Sequence, residues 1–243
     1  MPAILDLPIL PPYLYRYRKI SEETIDQELS AIKEKYLWFS TYKEMNDPME
    51  GFFEPAKRFL NDSNYSKAAR DIYYEKIHIG ICCFSDTHDN ELMWSHYTGN
   101  YSGICAGYAP ENLIEGLPNN AHLVRVAYGT KPPHLTATDG ANPNKAAIKV
   151  LSHKKASWLY EREWRVLGPI HRANIRSKAC LREVRLGMNM KPEHKSKLLA
   201  ALKGEAVRVD EMKRVSDYSH KWFKVQNIKG LPITPLPPLP HGE

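Results

Sequence analysis

Two stretches in which charged and aromatic residues alternate constrain the fold of this chain most: LYRYR at residues 14–18 and YEREWR at residues 160–165. A period of two fits a β-strand and not a helix, because successive side chains of a strand point to opposite faces. Residues 158–167 therefore read as one long strand. On it Glu161, Glu163 and Arg165 share one face, and Tyr160, Arg162 and Trp164 share the other. One face must then accept two carboxylates beside a guanidinium. Two readings follow: a solvated face with Glu–Arg pairing, or carboxylates held at a cleft, where they can bind a ribose hydroxyl, activate a nucleophile or stabilise positive charge. On residues 14–18 the same parity places Tyr15 and Tyr17 opposite Arg16 and Arg18. An arginine there is either a rim residue or a fork of donors for a phosphate or ribose oxygen.

Around these strands, local signals alternate without regular βαβ order. A helix is expected over residues 25–34, with Ser21 as its cap, followed by a strand over 36–42 and a turn at Asn46-Asp47-Pro48. Helical material is expected over 55–75 with a break at 61–64, then an apolar central strand at 77–85. Asn90 reads as the cap of a short helix, ELMWSHYT. Strands are expected at 101–108 and 123–128, an exposed loop at 130–144, and a helix at 146–154. Further strands are expected at 181–186, 206–209 and 222–226, with a helix at 192–202 opened by proline. The pattern predicts an α+β fold, a mixed and mainly antiparallel sheet flanked by helices. One domain is expected over residues 1–229, followed by a Pro-rich tail at 230–243. Neither GxGxxG nor GxxxxGK[ST] occurs, which leaves Rossmann and P-loop readings without a motif.

The formal net charge of +6 is carried by dispersed basic residues with no long Lys/Arg run. It fits a mildly basic surface or contact with an anion such as a nucleotide or nucleic acid. Of the four cysteines, none forms a CxxC pair, which argues against a zinc ribbon. No stretch approaches the ~20 apolar residues of a membrane span, and the proline-broken start does not read as a signal peptide. A cytoplasmic protein without membrane contact is expected.

Two further segments hold candidate residues. In NELMWSHY, Asn90, Met93, Trp94 and Tyr97 share one helical face, a core stripe or an aromatic wall on which a ring stacks. In WFSTYKEMNDPME, Ser40 lines a pocket or bonds a neighbouring strand, while Asn46 and Asp47 build their turn beside it.

LYRYR, LWFSTYKEMNDPME, CFSDTHDNELMWSHY, GICAGY and WLYEREWRV resemble, in order, the blocks of a bacterial domain-of-unknown-function family. Its members read YHYT, then LRLS with NDPFE, then CFS with MWSHYADNHKGICIGF, then W-YE-EWR. Members are often met near phage-defence and abortive-infection genes, which implies a toxin or effector role. The order of blocks also resembles ADP-ribosyltransferases, the DNA-modifying DarT toxins among them. That resemblance implies NAD as substrate, Arg16 at the first-strand position (with Arg18 as a competitor), Ser40 at the second, and Glu163 as catalytic residue with Glu161 two residues before it. Tyr15, Asn46, Trp94 and Tyr97 would complete the NAD site. A nucleic-acid or protein acceptor and a cognate antitoxin are the implied partners.

Three functions remain at this level. The first is an ADP-ribosyltransferase or NAD glycohydrolase, which predicts that Arg16, Ser40 and Glu163 meet in one cleft. The second is a non-catalytic defence-system partner, an antitoxin or sensor. The third is a metal-dependent nuclease using Glu161, Glu163, Asp47 and His96, which requires those groups to surround one cation.

Overall fold

The computed structural model describes residues 9–177, 180–216 and 219–225. The first eight residues, the end of the expected domain at residue 229 and the tail at 230–243 lie outside the described residues. In chain order the strands are β1 (Leu14–Arg18), β2 (Tyr36–Phe39), β3 (Glu54–Pro55), β4 (Gly80–Ser85), β5 (Ile104–Tyr108), β6 (His122–Arg125) and β7 (Ala127–Gly129). They continue as β8 (His134–Leu135), β9 (His153–Lys155), β10 (Glu163–Gly168), β11 (His171–Asn174), β12 (Leu181–Leu186), β13 (Arg208–Ser216) and β14 (Ser219–Lys224). The helices are α1 (Ile25–Glu34), α2 (Lys57–Leu60), α3 (Tyr65–Ile77), α4 (Glu91–Tyr97), α5 (Pro110–Gly116), α6 (Ala137–Gly140), α7 (Pro143–Leu151) and α8 (Pro192–Ala201).

Eight strands form one sheet in the order β14-β13-β12-β5-β1-β4-β10-β6. Its pairings are antiparallel except for β12 with β13. The α+β class with a mainly antiparallel sheet and flanking helices is therefore as the sequence predicts. Among the described residues no helix is long and apolar enough to cross a membrane.

The two faces of the sheet differ in character. Directly paired residues on neighbouring strands point to the same side. One face carries Leu14, Phe84, Trp164 and Val166, which pack with Leu37 and Phe39 of β2 and Leu113 of α5. Next to it Ile104, Val184 and Val209 pack under Ile25 of α1 and Leu198 of α8. This is the apolar core. The opposite face carries Tyr15, Tyr17 and Cys105 beneath Met93 and Trp94 of α4, and Ile81 and Leu167 beneath Leu151 of α7. Between these two groups the second face holds Ser85, Glu163 and Arg165, all buried.

Three local expectations are corrected. Residues 158–167 do not form one strand: Ala156–Glu161 is a 3-10 turn, Arg162 is left-handed at φ 47°, and β10 starts at Glu163. The turn is bolted from outside by side chains that take its carbonyls, Ser85 Oγ on Glu161 O at 2.6 Å and Asn90 Nδ2 on Tyr160 O at 2.9 Å. Residues 130–144 are not a plain loop. Leu135 is fully buried, β8 pairs with β3, and Thr136 and Asp139 cap α6 reciprocally. The helix expected at 146–154 begins at Pro143 and ends at Leu151, where the chain turns into β9. Finally, β11 pairs with β2 without a strong sequence signal of its own.

Gly103 tests the sheet's central register. A Cβ there would lie 2.0 Å from Arg18 O and 2.9 Å from Thr98 O, both backbone atoms that cannot swing away. Gly103→Ala is expected to destabilise the protein by about 1–3 kcal/mol or more in urea denaturation. An unchanged midpoint would contradict the packing of β5 against the end of β1.

Candidate active site

The buried charges on the second face form one continuous network. α7 packs on that face through Leu151, and the chain then enters β9, which pairs in parallel with β7. This path carries Lys154 inward to 7 % exposure. Its ammonium donates to Glu161 and, at 3.1 Å, to Glu163. Glu161 reaches the same lysine from the 3-10 turn, and Glu163 from the first position of β10. The two carboxylates are thus neighbours as strand parity predicts, although Glu161 is not on a strand.

Glu163 is held by cations on both of its oxygens. Arg165 Nε donates to its Oε1 at 2.9 Å, and Arg165 Nη2 and Lys154 Nζ both reach its Oε2 at 3.1 Å. Arg165 is itself fully buried and forks onto Glu50, at 2.7 Å and 2.9 Å. Glu50 is placed by the Asn46-Asp47-Pro48 turn. Met49 N–H donates to Asp47 Oδ1 at 2.9 Å and Glu50 N–H to Asp47 O at 3.0 Å, the turn-building role expected of Asp47.

Glu161 is as buried as Glu163 and ends the network beneath the half-buried Tyr97. The Tyr97 hydroxyl donates to its Oε1, and the side chain of exposed Asn46 lies near enough to the phenol to lower its proton affinity slightly. Tyr97 is presented by α4, whose first turn Asn90 caps by accepting from Met93 N–H at 3.2 Å. The chain Tyr97–Glu161–Lys154–Glu163–Arg165–Glu50 therefore runs inward from a half-buried phenol.

Electrostatics separates the two carboxylates. Burial raises the Glu161 carboxyl, and the Glu163 charge adds to that against a partial offset from Lys154, so its proton affinity is raised. Burial also acts on Glu163, but Arg165 and Lys154 override it and hold the group at about 2. Lys154 is pushed down by burial, yet Glu163 and Glu161 hold it above the ordinary lysine value. The Tyr97 phenol is pushed up by burial and by the Glu161 charge.

The remaining sequence candidates are distributed as follows. Tyr15 pairs with Ser85 and Ser85 with Glu163, so all three lie on one face. Arg16 follows Tyr15 on β1 and therefore points to the other face, where its Nη2 donates to Trp38 O at 3.0 Å. Arg18 shares that face and pairs with Glu28. The expected meeting of Arg16 with Glu163 does not occur, because register with β4 assigns them opposite sides of the sheet. Ser40 bonds the backbone of Ile81 in both directions, at 2.9 Å and 2.7 Å. Ile81 lies four residues along β4 from Ser85, roughly 13 Å at about 3.3 Å per residue. Ser40 is thus a strand-bridging residue away from the carboxylates. Trp94 is buried, with Nε1 donating to His88 O at 2.8 Å and its ring edge-on to Tyr17 at 5.5 Å. It is core, not an open wall. His96 lies on the exposed side of α4. Among the described residues no group of three or more His, Cys, Asp or Glu is placed to hold a metal ion.

Lys154, Glu50 and Tyr128, whose hydroxyl accepts the Glu163 N–H at 2.8 Å, were not singled out from the sequence. Lys154 sits in an ordinary Lys-Lys pair, and Glu50 ends a turn whose polar residues have local work. Only tertiary pairing gives them meaning.

A family model described as a protein of unknown function (DUF2971) matches residues 93–166, and over that stretch the chain is similar to the family. The stretch contains Tyr97, Lys154, Glu161, Glu163 and Arg165. No curated protein and no solved structure matches the chain.

Removing Lys154 leaves two buried carboxylates without their shared cation. Lys154→Met is expected to cost about 3–5 kcal/mol at pH 7. Without the ammonium the folded-state carboxyls gain proton affinity. A raised folded-state value adds stability below the unfolded value that is lost as pH rises, so the deficit should shrink towards pH 4. Urea denaturation at pH 4 and pH 7 checks this; an equal deficit at both would contradict the shared pairing.

Proposed function

We propose that the chain is an NAD-consuming ADP-ribosyltransferase or glycohydrolase, with NAD as substrate and Glu161 rather than Glu163 as the reacting carboxylate. The convergence of Arg16, Ser40 and Glu163 that the sequence reading predicts fails, because Arg16 lies on the other face of the sheet and Ser40 bridges to Ile81, so the revised form rests on Glu161 alone. The observation that supports the revised form is the state of Glu161: a carboxylate of raised proton affinity, bonded to a half-buried phenol, at the outer end of a buried charge network. Breaking the nicotinamide–ribose bond builds oxocarbenium-like positive charge. A nearby carboxylate stabilises that charge, and raised proton affinity suits a base that takes the proton of an attacking hydroxyl. Each carboxylate oxygen has two lone pairs, so Glu161 keeps acceptor capacity for a ribose hydroxyl beyond Tyr97 and Lys154. Glu163, already held by two cations, serves to fix Lys154. The net charge of +6 favours an anionic acceptor such as nucleic acid over a neutral one. The likeness to genes near phage-defence loci favours a cytoplasmic toxin or effector with a cognate antitoxin.

A second reading is supported by the separation of Arg16 from Glu163. In it the network only bolts the turn to the sheet, and the chain is a non-catalytic antitoxin or sensor.

Incubation of the pure protein with NAD, with and without DNA, RNA and protein acceptors, separates the two. Nicotinamide release is expected, and Glu161→Gln should lower its rate about a hundredfold or more while the fold remains intact. No release under any acceptor condition, from folded protein, removes the enzymatic reading and leaves the second.

A further inference from the structure

The β14 edge of the sheet, far from the carboxylate network, carries a feature that none of that chemistry uses. β13 pairs with β12 from Arg208 to Glu211, and beyond Glu211 it pairs only with β14 among the described residues. The two strands therefore extend past the sheet as a two-stranded ribbon. Its base is fixed. Met212 is buried, the Trp222 ring lies 5.6 Å from that of Trp94 and 5.0 Å from the Arg185 guanidinium, and His220 Nε2 meets Asp89 Oδ1 at 2.9 Å. On the ribbon Lys213, Arg214 and Lys221 are exposed, with Val215 at 46 % and Phe223 at 42 %.

The charge of the ribbon is one-sided. The described residues of β13 and β14 hold five Lys or Arg side chains against two carboxylates. Both carboxylates are engaged: Asp210 by Arg208 at 2.9 Å and Arg185 at 3.8 Å, Glu211 by Lys195 at 2.6 Å and Lys213 at 3.5 Å. Arg214, Lys221 and Lys224 have no carboxylate partner among the described residues, outside which Asp217 lies. Lys213 stands directly opposite Lys221, and like charges opposed across strands are destabilising. An anion held between the two ammoniums offsets that cost. Arg214 lies next to Lys213 on β13 and so points to the other face. A flat anionic surface meets one face of such a ribbon, whereas the walls of a groove flank both. Lysines on an edge strand also oppose pairing with a second copy of the chain.

We infer that the β13–β14 ribbon enters the major groove of double-stranded DNA, with Lys213 and Lys221 of one face and Arg214 of the other on the phosphates of the two walls. The major groove of B-form DNA is about 12 Å wide and admits a two-stranded β-ribbon. Exposed Phe223 and Val215 offer apolar contact to the thymine methyl groups that line it. The deep, narrow major groove of an RNA duplex does not admit side chains, and a single strand has no paired walls, so the DNA duplex is the form selected. The inference deepens the preference for an anionic acceptor stated under the proposed function. It needs none of the Glu161 chemistry, because binding is read without NAD.

Fluorescence anisotropy of the full chain tests this with a labelled DNA duplex, an RNA duplex of the same sequence and one DNA single strand. The DNA duplex should bind about tenfold or more tightly than either other probe. Its log K should fall against log salt with a slope of about −3 or steeper, near −0.9 for each phosphate neutralised. Lys221→Ala and Arg214→Ala should each reduce that slope by about one. Lys221→Glu sets a carboxylate opposite Lys213; it should weaken DNA binding while the urea midpoint stays level or rises, which separates lost binding from lost fold. The ribbon is overturned as a DNA-binding element if the DNA duplex fails to bind at low salt, if the RNA duplex or single strand binds as tightly, or if the variants keep the wild-type affinity and slope. Binding to phosphatidylserine vesicles in place of DNA would also overturn it and assign the cations to a lipid surface. Ribbon-dependent DNA binding without nicotinamide release sinks the catalytic reading and leaves the ribbon standing; nicotinamide release without such binding does the reverse.

Discussion

The ammonium of Lys154, set between Glu161 and Glu163, is the contact on which the rest of the candidate site depends. Without it Glu161, at 3 % exposure, would have no cation, and Glu163 would keep only Arg165, which Glu50 shares; an uncompensated buried charge costs several kcal/mol. The lysine arrives by a route that uses much of the fold. α7 must pack on the sheet, β9 must pair with β7, and the 3-10 turn must bend Glu161 back towards β10. The left-handed Arg162 is the joint that allows that bend. The site is in this sense a product of tertiary packing and not of a local motif.

Charge counting explains why the two glutamates differ. Glu50, Glu161 and Glu163 face Lys154 and Arg165, three negative groups against two positive ones in one buried network. Arg165 is shared by Glu50 and Glu163, and Lys154 by Glu163 and Glu161. Glu163 thus receives both cations, while Glu161 receives one cation and a phenol. The surplus of negative charge acts on Glu161, which is buried like Glu163 but is the one bonded to the half-buried Tyr97. A carboxylate with raised proton affinity at the outer end of such a network is where proton exchange with a substrate is easiest to arrange.

Much of the secondary structure was legible because its signals are local. LYRYR is β1 with its predicted bounds, residues 25–34 are α1, Asn90 caps α4, and the Asn46-Asp47-Pro48 turn is built by Asp47. The nonlocal parts were not. Parity on β1 separates Tyr15 from Arg16, but only the pairing Tyr15↔Ser85↔Glu163 says which of them shares a face with the carboxylates. The alternation of YEREWR imitates a longer strand because a 3-10 turn bolted to Ser85 and Asn90 also brings Glu161 alongside Glu163. Lys154 and Glu50 had no signature at all, since a buried lysine and a surface lysine read alike until their partners are known. Trp94 shows the reverse case: its helical stripe read as core in preference to an open wall, and packing against Tyr17 agrees with core.

The central claim is that the network divides its two outer carboxylates into one that holds a proton readily and one that stays ionised. Carbon-detected NMR titration of the glutamate carboxyl groups, assigned through Glu161→Gln and Glu163→Gln, measures this directly. The account predicts that Glu161 titrates above the ordinary glutamate value and that Glu163 remains ionised down to about pH 2. Titration of both at the ordinary glutamate value, or of Glu163 above Glu161, would contradict it.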